Sequence, residues 1–162
     1  MHLAIVIIGL LNVPFNFRGV AGDPDLLAGF RNLAALAIHG AQQADNREVA
    51  AFVIREPNGS ITFQVWPHTA RTRSETYHGP TPPGTVAIAH THPFYAPQPS
   101  RGDIKQSIRL GLPIYVITYW ELSVVDPSSG ECIFLIQRKN WTKPPKPAEA
   151  EASRSSGSSD RP

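Results

Sequence analysis

The sequence predicts an α/β domain, a single β-sheet with flanking helices, in a chain of 162 residues. Two stretches carry helix start and stop signals, the first around apolar residues spaced three and four apart. After the first helix, six short runs rich in Val, Ile and Phe, punctuated by Pro, Gly, Asn and Ser, read as strands. Their order is helix, strand, hairpin return, strand, helix and three closing strands. Hydrophobic residues make up 41% of the chain and charged residues 17%, enough apolar material for one core and too little charge for a disordered chain.

Composition also excludes several classes. Fifteen basic and thirteen acidic residues leave a net charge of +2, too even a balance to argue for a nucleic-acid partner. One cysteine cannot build a disulfide framework or a structural zinc site of several thiolates. No apolar run reaches the roughly 18–20 residues of a transmembrane helix, so no transmembrane span is expected.

Along the chain, residues 3–11 (LAIVIIGLL) are short and apolar. Their Ile and Val content reads as a buried first strand, with a signal or anchor segment over 1–22 as the competing reading. The compartment therefore stays open between the cytoplasm and export. Asp23-Pro24 starts the first helix with N-cap chemistry and a proline at the first helical position, and Gly40 supplies the stop. Between them Leu26, Leu27, Phe30, Leu33, Leu36, Ala37 and Ile38 predict one apolar face. Residues 48–54 (EVAAFVI) read as a strand, Pro57-Asn58-Gly59 as a turn, and 61–66 as the antiparallel return. A long connection, 67–84, precedes the strand 85–92 (TVAIAHTH). After a proline-rich loop, 100–110 reads as a helix stopped by Gly111, and strands follow at 114–119, 122–125 and 132–137. From about residue 143 the chain is Pro-, Ser- and Gly-rich and is expected to be disordered. The organisation is thus a segment 1–22, a domain 23–142 and a tail 143–162.

The stretch 87–107 carries the chemistry. His90 and His92 are two residues apart at the end of an apolar strand, so both imidazoles face the same way. Asp103 follows eleven residues later in the first turn of the next helix, a loop length that can fold back to the same point. Two histidines and one carboxylate leave one tetrahedral position for water, the pattern of a catalytic zinc site and not of a structural one.

His90-Thr91-His92-Pro93, then six residues, then Ser100-x-x-Asp103 resembles the signature of the JAMM metalloproteases (MPN+, also called JAB). The similarity extends over 24–138 through the order of elements and is nearest to small bacterial JAB-like domains. It implies a single mixed β-sheet of the MPN/JAB, cytidine-deaminase-like architecture. It also implies one Zn2+ held by His90, His92 and Asp103, with Glu48 as general base and Ser100 holding the oxyanion. The activity implied is hydrolysis of a peptide or isopeptide bond in a protein or peptide substrate, a ubiquitin-like conjugate among the candidates. Where many relatives carry a glycine after the glutamate, this chain has Val-Ala-Ala.

Each assignment has a rival. Ser100 and Asp103 also spell a capping box, which accounts for that pair but not for two histidines at the required distance. Glu56 is the rival to Glu48, but it sits where the hairpin reverses. His68 and His78 read as solvated loop residues, Cys132 as a small buried hydrophobe, and Phe94 and Tyr95 as cleft or packing residues. A non-catalytic MPN-type interaction or scaffold module is the alternative function. A nucleobase deaminase needs a Pro-Cys-x-x-Cys pair that a single cysteine cannot supply, and no H-E-x-x-H motif is present.

Overall fold

The computed structural model describes residues 14–41, 48–67, 77–92 and 98–143. The apolar run 3–11, His68, Phe94, Tyr95 and the tail from 144 lie outside the described residues.

Asp23 caps α1 (Pro24–Ala41). Its Oδ1 accepts the backbone N–H of Asp25 at 3.1 Å and of Leu26 at 3.0 Å, two amides that have no partner inside the helix. The helix passes Gly40 by one residue and buries Leu26, Phe30, Leu33 and Ala34. Leu36 and Ile38 do not join that face and are 49% and 45% exposed. At about 100° per residue they lie roughly 80° and 120° around from Leu26, beyond the reach of the sheet.

The strands are β1 (Ala50–Arg55), β2 (Ile61–Val65), β3 (Thr85–Thr91), β4 (Ile114–Ile117), β5 (Glu121–Val125) and β6 (Cys132–Gln137). They form one six-stranded sheet in the order β2-β1-β3-β4-β5-β6. Among the described residues only β3 and β4 pair in parallel, and every other pair is antiparallel. The sheet is therefore mixed. A parallel pair needs a crossover, and α2 (Arg101–Leu110) supplies it. The helix must start near the end of β3 and return to the start of β4. Gly111 ends it in the left-handed region at φ 64°, a conformation that a side chain disfavours. At the other end of the sheet, Gly59 donates its N–H to Glu56 O at 2.8 Å and closes the β1–β2 turn.

The larger core lies between α1 and the sheet. Phe30, Leu33, Tyr115, Ile117, Leu122, Val124 and Trp141 are almost fully buried there, each worth roughly 1.5–3 kcal/mol of apolar burial. Phe30 meets Phe63 edge-on at 5.3 Å. Gly29 lets α1 come this close, since a Cβ there would lie 2.0 Å from the Phe63 ring. The chain ahead of α1 also joins this core. Val20 is fully buried, and the Tyr115 hydroxyl donates to Phe17 O at 2.9 Å. On the opposite face α2 lies over β4 and β5, and Phe52, Ile54, Ile88 and Ile114 form a smaller cluster with Trp66 and Tyr77.

Candidate metal centre

The site is built where β3 ends and α2 begins. Ala50 pairs with His90. One residue on, the Thr91 N–H donates to Val49 O at 2.9 Å, and the Val49 N–H donates to Thr91 Oγ1 at 2.9 Å. Thr91 thus ties the approach to β1 onto β3, while its neighbours His90 and His92 face the α2 side. The His92 N–H donates to Ile117 O at 2.9 Å, which holds this residue in line although β3 ends at Thr91. A βαβ crossover leaves its helix N-terminus at the carboxyl end of the first parallel strand, the usual place for a site in such a sheet.

Ser100 is the N-cap of α2 and completes the capping box with Asp103. Ser100 Oγ accepts the Asp103 N–H at 3.2 Å, and Asp103 Oδ2 accepts the Ser100 N–H at 2.6 Å. The box fixes the carboxylate, and the carboxylate reaches both imidazoles. His90 Nε2 lies 3.1 Å from Asp103 Oδ1, and His92 Nε2 lies 3.6 Å from Asp103 Oδ2. The two rings stand nearly perpendicular, 4.8 Å between centroids. The capping box and the three-residue cluster coexist: Oδ1 faces His90, while Oδ2 is shared between the Ser100 N–H and His92.

Could these residues hold a cation? One ligand atom from each of His90, His92 and Asp103 lies within 4.8 Å of the others. Ligand atoms at adjacent corners of a tetrahedral zinc are about 3.3 Å apart for bonds of about 2.0–2.1 Å, and the 3.1 and 3.6 Å separations, to the two different Asp103 oxygens, lie in that range. His90 Nε2 is buried yet has no hydrogen-bond partner. Two ring nitrogens turned toward one carboxylate suit metal ligation, and one nitrogen pair with one carboxylate suits zinc. Burial of the Asp103 carboxyl opposes its ionisation, but the two imidazoles and Ser100 hold it well below the usual carboxylate range. It is a ready anionic ligand.

Glu48 lies two residues ahead of β1 instead of opening it. The β1–β3 register, carried past the Val49–Thr91 hydrogen bonds, sets its backbone level with His92. Glu56 stands at the far end of β1, where its Oε1 accepts the Thr62 hydroxyl at 2.7 Å. His78 is away from any strand, in the connection ahead of β3. Cys132 is half-buried and not fully enclosed, because β6 is an edge strand.

The sequence gives little sign of three further atoms. Among the described residues, Trp66 Nε1, Glu121 Oε1 and Ser123 Oγ are buried without a hydrogen-bond partner, as His90 Nε2 is. Ser123 pairs with Val116, which pairs with His90, and Glu121 is two residues from Ser123. Trp66 lies beside Ala50, its N–H donating to Ala50 O at 2.8 Å. All four side chains belong to the α2 face of the sheet. Burial pushes the Glu121 carboxyl up from its ordinary range. A serine inside the apolar run LSVV was the only sequence signal for any of them.

No protein-family model and no curated protein matches the chain. Among solved structures it is similar to a protein from Salinibacter ruber determined in solution, at 16% identity and a TM-score of 0.38, covering 72% of this chain and 89% of that one. No helix among the described residues is long and apolar enough to cross a membrane.

Proposed function

We propose that this chain is a zinc-dependent hydrolase of peptide or isopeptide bonds, of the JAMM (MPN+) type with its MPN/JAB architecture. The observation that supports it is the convergence of His90, His92 and Asp103, whose ligand atoms lie within 4.8 Å of one another. When bound, zinc polarises a carbonyl and lowers the pKa of a water from 15.7 to about 7.

The chain's own groups supply the rest. Glu48, level with His92, accepts a proton from the attacking water and returns it to the leaving amine as the C–N bond breaks. The products are a carboxylate and an amine. Ser100 Oγ accepts the Asp103 amide N–H, and its O–H, beside the Asp103 carboxylate, turns to donate to the developing oxyanion. Helix capping and oxyanion contact are therefore compatible in one hydroxyl.

The experiment is a metal assay paired with a substrate panel. Purified protein is expected to contain about one zinc per chain and to cleave at least one of a set of peptide, isopeptide and ubiquitin-like conjugates. Glu48→Gln is expected to keep the zinc and lose turnover by roughly 10²–10⁴-fold. Asp103→Ala is expected to lose the zinc. Full metal retention in Asp103→Ala would confine that residue to helix capping, and a wild-type chain that takes up no zinc would leave the non-catalytic module as the function.

A further inference from the structure

The helix that carries Asp103 turns an unusual face to solvent. Arg101, Lys105 and Arg109 recur at four-residue spacing on α2, and all three are exposed. At about 100° per residue they fall within roughly 80° of one another and opposite Ser107, which is fully buried. Among the described residues no acidic group pairs with any of them. Arg109 Nε donates to Gln106 Oε1 at 2.7 Å. The only acidic residue of the helix, Asp103, is turned inward to the histidines.

The charge pattern gains the helix little. Like charges four residues apart repel. Arg101, at the first helical position, sits at the end where the helix dipole disfavours a cation, while Arg109 is at the favourable end. A row of three cations without an acidic partner is a ready surface for an acidic ligand.

We propose that the outer face of α2 docks an extended acidic segment of a peptide or protein, with carboxylates at alternate positions opposite Arg101, Lys105 and Arg109. The spacing supports this match. Four residues of helix rise about 6 Å, and two residues of extended chain advance about 6.6 Å. Three acidic side chains in the pattern acid-x-acid-x-acid therefore meet three cations over roughly 12–13 Å. Exposed Ile108, about 20° around the helix from Arg101, borders the stripe and gives the intervening side chains apolar contact. A phosphate backbone fits less well, because a net charge of +2 gives no broad basic field. Only the placement of the scissile bond, at the Arg101 end beside Ser100, rests on the hydrolase proposal. The docking does not.

The test uses the full chain carrying Glu48→Gln, loaded with zinc, so that binding is read without turnover. Its probe is a fluorescein-labelled peptide, Gly-Gly-Glu-Ser-Glu-Ser-Glu, followed by anisotropy. Reversing Arg101, Lys105 and Arg109 to Glu is expected to weaken binding at least ~10-fold. Affinity in the parent should fall steeply with salt. A peptide with three contiguous glutamates should bind about 3-fold more weakly than the alternating one. Arg101→Glu alone should weaken binding while leaving the melting temperature unchanged or higher, because it places an anion at the helix N-terminus. Equal affinity in the reversed chain overturns the proposal. So does a single-stranded oligothymidylate that outbinds the peptide and is lost in the reversed chain. If the wild type cleaves no amide yet the peptide binds as described, the hydrolase proposal fails and the docking stands. If it cleaves acidic peptides with a KM that the reversal leaves unmoved, the docking fails and the hydrolase proposal stands.

Discussion

The two faces of the sheet are made by alternate residues of the same strands, and they are built to different standards. On the α1 side, Ala87 and Ala89 of β3, Tyr115 and Ile117 of β4, and Leu122 and Val124 of β5 are nearly or fully buried. Where that side buries a polar atom, the atom is paired: the Tyr115 hydroxyl donates to Phe17 O, and Trp141 Nε1 donates to Thr118 O at 2.9 Å. On the α2 side, the next residue along each strand gives His90, Ser123 and Glu121, which each bury a polar atom with no partner. Unpaired buried polar groups cost free energy. Among the described residues such atoms lie on that face alone, while the α1 face carries the larger core.

The largest effect that can break this division is on the packed side. Phe30→Ala is expected to cost about 3–5 kcal/mol, read as a fall in Tm of roughly 10–20 °C. A loss under about 1 kcal/mol would mean that the α1 face is not the foundation described here. Next comes the acid side of stability. The Ser128 hydroxyl and amide, at 2.6 and 2.8 Å, and then the Arg18 guanidinium at 2.7 Å pull the Asp126 carboxyl down to about 2. A depressed carboxylate stabilises the fold above its ordinary pKa and loses that contribution as pH falls through the lowered one. Thermal melts of wild type and Asp126→Asn should therefore differ at about pH 5 and converge toward about pH 2, and a constant difference would remove the charge from the explanation. The smallest expected effect is on the functional side. Ser123→Ala removes a buried hydroxyl beside the Cys132 thiol, a weak hydrogen-bond partner, so its stability should stay within about 0.5–1 kcal/mol of wild type or rise slightly. A larger loss would show that Ser123 is satisfied after all and would blur the contrast between the faces.

Much of the site was legible because its parts lie on short, local signals. His90 and His92 share a face through the two-residue period of a strand, and Ser100-x-x-Asp103 is a helix start whichever role it plays. The six strands were legible from their apolar runs and turns. Glu48 was harder to place: its strand begins at Ala50, and only the Val49–Thr91 hydrogen bonds extend the pairing back far enough to set it beside His92. Leu36 and Ile38 failed as core positions because hydrophobicity does not say how wide a stripe the sheet can cover. The unpartnered atoms of Trp66, Glu121 and Ser123 could not be read at all, since partners come from strands and helices remote in the chain.

Periodicity and capping chemistry act over a few residues, so the sequence alone determined which segments are strands and helices, which way each histidine faces, and where α2 starts. Strand order, the single parallel pairing of β3 with β4 and the convergence of Asp103 on two imidazoles depend on contacts between distant segments. Those were decided only when burial on both sides of the sheet chose one arrangement of the whole chain.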